Sequence, residues 1–592
     1  MTNALAKSTR PRHLVAKLLE QPDLVRLVQG LEAPVLTRLI HHIGLEDAGE
    51  IVALATTEQL KGIFDEDLWR SERPGKDEAF DADRFALWLE VMLEAGEAFA
   101  ARKIAELDED LVTLALCKHV LVIDIDGLSV QMSSSERSDD DDLVEKALES
   151  CLYQEFEEFR VIAKDHRSWD SILLVLVELD REHHALLRAL LERCCAISTE
   201  VIEESGGLYD VLTSEEMLES DVAADREDRR EQEGFVAPSA AVSFLNLARV
   251  TPLDEILGAR AYDAVTRAHF RAAAAKARPP AAAPRRPVSG EEKGAPAAED
   301  LQSFLEVLRE ADIVAPAADA RLLTAGERRE GEDLLFTSAI REVMARDAEL
   351  YGKRLLELSY LVNVLISGCS HDGRAFRPFE AAEAVLCTCS LGLERLLGER
   401  AGRKRPGPDE LASAMTEHDA VKMFMAGWNL LHHEVLLQAA GALRKALAGL
   451  IADQPDAQAA RAIERVAAGL AADVDAGKPW RSRGKLDRIE RALGAEATAA
   501  YRALLDELPT LPDSAVEAAR ASGAQRSRFV SSAAQIRAIQ AMLTRPEGSG
   551  ATAAPRAAGP AGRGAKAAPR AAGAAAPAKA RKRAQPGAGR RK

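Results

Sequence analysis

Three histidine doublets, His41-His42, His183-His184 and His432-His433, are the first groups in this chain whose chemistry could be put to work. Neighbours on a helix project about 100° apart, whereas a helical zinc pair needs ligands four residues apart, and no His-Glu-x-x-His occurs. Glu182-His183-His184 and His432-His433-Glu434 are compact but read as partly exposed helix positions. Cys369-x-His371 with Cys387-x-Cys389 supplies four soft ligands. Structural zinc sites leave a gap of two to four residues within each pair, and Cys387 and Cys389 would fall on opposite sides of a helix. Cys369 continues an apolar seam, so buried packing accounts for it. Asp124-Ile125-Asp126-Gly127 invites a calcium loop; with the glycine sixth, positions one and twelve are Val122 and Ser133, two carboxylates short, and a hairpin turn explains it. There is no Gly-x-Ser-x-Gly elbow and no Gly-x-x-x-x-Gly-Lys phosphate loop, and Gly559 to Ala565 lies in a tail without a preceding strand. Asn363 and Trp428-Asn429 could line a pocket, but buried polar groups with local partners are expected. No catalytic residue, cofactor ligand or metal ligand is therefore assigned.

The tail offers simpler physics. From Pro546 to Lys592 eleven Lys or Arg face the single Glu547, a net +10. Residues 1–545 then hold 66 basic against 94 acidic residues, a net −28, and the whole chain carries −18. Arg570, Lys579, Arg581, Lys582, Arg583, Arg590, Arg591 and Lys592 are separated by small and proline residues, so they are candidate nucleic-acid contacts that neutralise phosphates without reading sequence. The composition resembles the alanine-, proline- and lysine-rich tails of linker-histone-like bacterial proteins. No aromatics are interleaved, which argues against base stacking. Folding back onto the acidic body is the competing account of the same charges.

The elements that must position these groups are legible in a 12-residue repeat. Leu24, Leu27, Val28 and Leu31 are echoed by Leu36, Leu39, Ile40 and Ile43, then by Ala48, Ile51, Val52 and Ala55. Leu60, Ile63 and Phe64 follow, and Asp67 breaks the last slot. Each group has the i, i+3, i+4, i+7 spacing of an apolar helical face. Twelve residues leave roughly 120° of residual rotation, so one straight helix would scatter the stripes. The repeat predicts a stack of very short helices, with Pro22, Pro34, Glu46 and Glu58 in first turns.

Hydrophobic residues make up 47% of the 592, aromatics only 4%, and alanine and leucine dominate, which favours helix. Ile172 to Val177, the best apolar run, is too short to span a bilayer, no signal-peptide core follows the first residues, and seven irregularly spaced cysteines form no disulfide framework. A cytoplasmic protein without membrane insertion is expected. The fold class is all-α: an N-terminal superhelix of short helices and a C-terminal helical bundle, with one small β-hairpin near 120–130 and a disordered tail. Residues 1–133 form the repeat domain, 134–235 a helical extension with an acidic connector, 236–545 the bundle with a disordered insertion at about 276–298, and 546–592 the basic tail. Within these, Leu143 to Ala163 and Asp333 to Ser367 read as single long helices, Ala240 to Ala275 as helical, and Glu203 to Glu233 as an exposed acidic helix or connector. Tyr351, Leu355, Leu358, Val362, Leu365 and Cys369 would form a packing seam.

The stretches Glu357 to Leu365, Gly373 to Ala382 and Leu391 to Glu394 resemble a bacterial family known only as a domain of unknown function, over most of the chain before the tail; that resemblance implies no activity. Residues 24–69 are similar to the short-helix superhelical N-domain of bacterial magnesium transporters, which implies the superhelical form with acidic edges and not transport. The function expected is a non-enzymatic scaffold or adaptor for protein–protein interaction. A nucleoid-associated protein using the tail is the alternative, and a metal-dependent enzyme centred on the His432 and Cys369 regions a further one.

Overall fold

A computed structural model describes residues 11–125, 151–204, 214–276, 334–398, 406–516 and 527–544, apart from positions 22, 72, 260, 454, 455 and 514. These belong to one unit, Met1–Thr544. The leucine repeat folds into separate short helices, α1 (Pro11–Leu19), α2 (Leu24–Gln29), α3 (Ala33–Ile43), α4 (Gly49–Val52) and α5 (Thr57–Asp67). The stripe positions Leu27, Val28, Leu36, Leu39, Ile40, Ile51, Val52, Leu60, Ile63 and Phe64 are at most 2% exposed, so the stripes do turn towards one common core. Pro34 and Glu58 stand in the first turns of α3 and α5 as expected. Glu46 does not, because Gly44 leaves α3 with a φ of 98° and a turn intervenes before α4. Pro22 lies outside the described residues. Thr56 and Gln59 form a capping box on α5, and the Gln59 amide also donates to the carbonyls of Val28 (2.8 Å) and Leu31 (2.7 Å), tying α5 to the end of α2.

Next come the paired strands β1 (Trp69–Arg70) and β2 (Ala79–Phe80), then α6 (Ala82–Glu94), α7 (Glu97–Ala105) and α8 (Glu109–His119). The strand expected near 120–130 is present as β3 (Val120–Asp124), but its partner is distant. It pairs antiparallel with β5 (Phe159–Ala163), which pairs in turn with β4 (Tyr153–Phe156), giving the order β3-β5-β4. Residues 153–163 are thus a hairpin and not helix. Its two-residue turn is Glu157-Glu158, with Glu157 at a φ of 48°, a chemistry far from the usual Asn-Gly signal. The helices α9 (Trp169–Glu182), α10 (His184–Glu204) and α11 (Ser214–Gln232) follow.

α11 is no free connector. Arg226, 3% exposed, donates to the Asp65 carbonyl and the Glu78 carboxylate, and its guanidinium sits 4.8 Å from the Trp69 ring centroid. Arg229 forks onto Asp65 (2.7 and 2.8 Å), and Arg230 reaches Glu78.

The first core gathers buried side chains from Leu14 to Val222 and the second from Val236 to Ile539. The second begins with α12 (Pro238–Val250), α13 (Leu253–Gly258) and α14 (Ala264–Lys276), which Pro252 helps to divide. The insertion beyond Lys276 is outside the described residues. The long helix expected from Asp333 is two, α15 (Leu335–Arg346) and α16 (Ala348–Gly368), because Asp347 takes an extended φ,ψ and its side chain caps the Leu350 amide. The buried face of α16 runs through Leu358, Leu361, Val364 and Leu365, whereas Tyr351, Leu355 and Val362 of the expected seam lie at its margin. A two-strand turn, β6 (Ser370–His371) and β7 (Arg374–Ala375), leads to α17 (Pro378–Leu397), with Pro378 in its first turn.

Then come α18 (Pro408–Glu417) and α19 (Ala420–Leu430), the latter running through a π-helical segment (Leu431–Leu436) into α20 (Leu437–Asp453). α21 (Ala457–Asp475), a 3-10 segment (Pro479–Ile489), α22 (Glu490–Leu493), α23 (Ala495–Leu504) and α24 (Ala533–Leu543) complete the described chain. Among the described residues, one helix, Ala420–Ala452, is long and apolar enough to cross a membrane, with a mean hydropathy of 1.4 over its best window.

Candidate functional site

Because Ala48, Ile51 and Val52 point into the core, the one-turn helix α4 must present Glu50 outward, and the turn before it exposes Glu46 and Asp47. The end of α6 adds Glu94. Together with Val15 and Gly49 these four carboxylates line a concavity of about 350 Å³. A Cβ at Gly49 would stand 2.6 Å from Glu94 Oε2, the free end of an exposed side chain that can turn aside. None of the four forms an ion pair with a described residue, and a turn, the one-turn helix α4 and the end of α6 bring four acidic side chains to one concavity. Such a focused field draws in cations and basic segments and weakens with salt.

The histidine doublets diverge. His41 Nε2 lies 2.8 Å from Asp67 Oδ1, while His42 Nε2 is buried without a partner. The backbone amide of His183 closes the end of α9 on Leu179, and His184 contacts Asp180 (3.0 Å) and Glu157 (3.4 Å) at the surface. The hydrogen bond with Asp180 raises the pKa of His184. His432 and His433 sit in the π-helical segment with rings 5.0 Å apart and nearly perpendicular. His433 Nε2 is 3.0 Å from the Arg249 carbonyl, whereas His432 is buried with Nδ1 unpartnered. Burial, reinforced by Arg249 and His433, pushes the His432 pKa down to about 3.

Trp428, Asn429 and Asn363 each have structural partners, and these are distant in sequence. Trp428 Nε1 donates to the Leu245 carbonyl (3.2 Å). The Asn429 amide serves the carbonyls of Ala248, Arg249 and Thr251 at the end of α12, satisfying groups that the helix leaves open. Asn363 donates to the Gly234 carbonyl (2.7 Å).

The four soft ligands separate as well. Cys369 Sγ faces the Ser370 carbonyl, Cys387 Sγ the Ser527 hydroxyl, and Cys389 Sγ the Ala420 carbonyl. Burial pushes all three thiols up, Cys387 to about 12. His371 instead pairs with Asp506 (Nδ1 to Oδ2, 3.1 Å) and stacks on Phe376. Among the described residues no group of three or more His, Cys, Asp or Glu side chains is placed to hold a metal ion. Asp126 and the tail residues Arg570, Lys579, Arg581, Lys582, Arg583, Arg590, Arg591 and Lys592 lie outside the described residues.

Sequence reasoning missed the role of Asp67, which accepts from Arg84 Nε (2.7 Å) and Trp88 Nε1 (2.7 Å) besides meeting His41. Its signal was present: one carboxylate in an apolar slot of a repeat must have partners.

Comparison with known proteins adds a family but no activity. Neither the curated proteins nor the solved structures give a match. The family described as "Family of unknown function (DUF6178)" matches residues 4–244, which take in the short-helix stack and the first core. Glu357 to Glu394 lie beyond that match. Over residues 4–244 the chain is similar to this family of unknown function.

Proposed function

We propose that the protein is a non-enzymatic helical adaptor of the cytoplasm, which docks a basic segment of a protein partner in the acidic concavity of its short-helix stack. The observation that carries this reading is the convergence of Glu46, Asp47, Glu50 and Glu94, unpaired among the described residues, on one hollow. The engagement of the histidines and cysteines in helix ends and core contacts supports binding over catalysis. The second core supplies a further platform for assembly.

A second reading is favoured by the charge of the tail alone, +10 against a body of −28. In it Arg570 to Lys592 bind nucleic acid without sequence preference. Affinity capture from cells that make the protein, comparing the intact chain with one ending at Arg545, separates the two. An adaptor retains its protein partner after truncation. Nucleic-acid binding through the tail is salt-sensitive and disappears with it; equal retention on DNA by both chains contradicts that second reading.

A further inference from the structure

A different hollow reverses the sign of the charge. A cavity of about 310 Å³ is lined by Arg73, Lys76, Arg249, Lys478 and Arg481, with Glu507 as its single carboxylate. Five cations around one small space are unusual in a body whose net charge is −28.

Three separate devices bring them together. The loop after β1 is pinned by the Gly75 amide, which donates to the Ser367 carbonyl (2.9 Å). Gly75 has a φ of 80°, and a Cβ there would stand 2.8 Å from Val242. The Ser71 hydroxyl donates to the carbonyls of Arg73 (2.6 Å) and Lys76 (3.0 Å), which holds the loop backbone from which both residues line the cavity. Lys478 and Arg481 flank Trp480 at the start of the 3-10 segment, where the Arg481 amide donates to the Lys478 carbonyl.

Arg249 forms the floor. It is 6% exposed; Nη1 donates to Asn246 Oδ1 (2.9 Å), Nη2 lies 3.8 Å from Glu507 Oε1, and the guanidinium is 4.3 Å from the Trp480 ring centroid. Its Nε is buried with no acceptor. Glu507 is a weak counter-charge: Ser370 N and Oγ already occupy its Oε2 (3.1 and 3.2 Å), and burial pushes its pKa up. The protein therefore spends desolvation on a guanidinium that it leaves incompletely satisfied, beneath four further cations.

We propose that this cavity binds a small phosphorylated ligand carrying at least two negative charges. Phosphate oxygens match the fork of an arginine and tolerate several cations at once, which a single carboxylate cannot do. The volume lies at the lower end of small-ligand sites, enough for a mono- or diphosphate ester and far too small for a nucleic-acid strand. The site shares no residue with the acidic concavity, so its failure and that of the adaptor reading are distinguishable.

Calorimetric titration of the full-length chain with inorganic pyrophosphate, ADP, adenosine and citrate tests it. Pyrophosphate and ADP bind with one-to-one stoichiometry, adenosine does not, and raising the salt weakens both. Tighter ADP binding assigns a nucleotide, and equal binding assigns the phosphate moiety alone. The K478E/R481E chain, altered only at half-buried and exposed positions, loses at least tenfold in affinity while melting unchanged without ligand. R73E, in the loop after β1, also weakens binding. No heat from pyrophosphate at millimolar concentration, equal affinity for citrate, or unchanged binding in both variants overturns the assignment.

Discussion

Asp67 shows how one side chain can close a stack of helices. It interrupts the apolar register of the fourth repeat and collects Arg84 and Trp88 from α6 and His41 from α3. Burial pushes its pKa up, but the hydrogen bonds with His41, Arg84 and Trp88 outweigh that and hold the carboxyl well below the ordinary range. A depressed carboxylate contributes stability that is present above the unfolded-state pKa near 3.8 and is lost as pH falls below it. Asp67→Asn removes the charge that Arg84 faces, and urea unfolding at pH 7 should show a loss of about 2–4 kcal/mol. His432 titrates in the other direction. Its imidazole stays neutral in the fold down to about pH 3, while in the unfolded chain it takes up a proton near 6.5. The unfolded state then binds more protons, so stability falls as pH drops from 6.5 towards 3, by at most about 1.4 kcal/mol per pH unit from this group. His432→Leu should flatten the dependence of melting temperature on pH between 6.5 and 4, and an unchanged slope would contradict this account.

At the scale of elements, the tightest requirement is the crossing of α17 and α19. A Cβ at Gly392 would overlap the Met423 carbonyl, and one at Gly427 the Thr388 carbonyl, so the two backbones are in contact through a pair of glycines. Gly427→Ala should cost about 3 kcal/mol or more, read as a lowered melting temperature, because backbone atoms cannot yield as a side chain would. Gly441→Ala, in the same long helix with nothing within 4 Å of the added Cβ, is the matched control and should be neutral or stabilising. Elements defined by their own periodicity were legible in the sequence: the leucine stripes mark α2, α3 and α5, while the third stripe, 48–55, folds as the single turn Gly49–Val52. Elements defined by remote partners were not. The charged face of α11 looks solvated until Asp65 and Glu78, some 150 residues earlier, are placed against Arg226, Arg229 and Arg230. Strands β4 and β5 were hidden because Glu157-Glu158 carries no turn signature, and α15 was run into α16 because Asp347 acts as a cap only in the extended conformation the fold imposes.

At the scale of the molecule, two hollows of opposite sign lie on an acidic helical body, and their legibility differs for the same reason. Glu46, Asp47 and Glu50 are neighbours in sequence, and acidic edges are what the resemblance of residues 24–69 implies, but no local pattern marks a hollow there, and Glu94 is supplied by the fold. Arg73, Arg249 and Lys478 are spread over some four hundred residues, and no local pattern announces that they meet. The family match over residues 4–244 contains all four carboxylates of the first hollow, and only Arg73 and Lys76 of the five cations in the second. The most direct test of the adaptor reading is affinity capture at physiological salt with the full-length chain and with E46K/D47K/E50K/E94K, which alters exposed side chains only. The account predicts a protein partner, retained by the parent chain and depleted at least tenfold by the variant, with both chains melting alike. Recovery of the same partners in equal yield by both would contradict it.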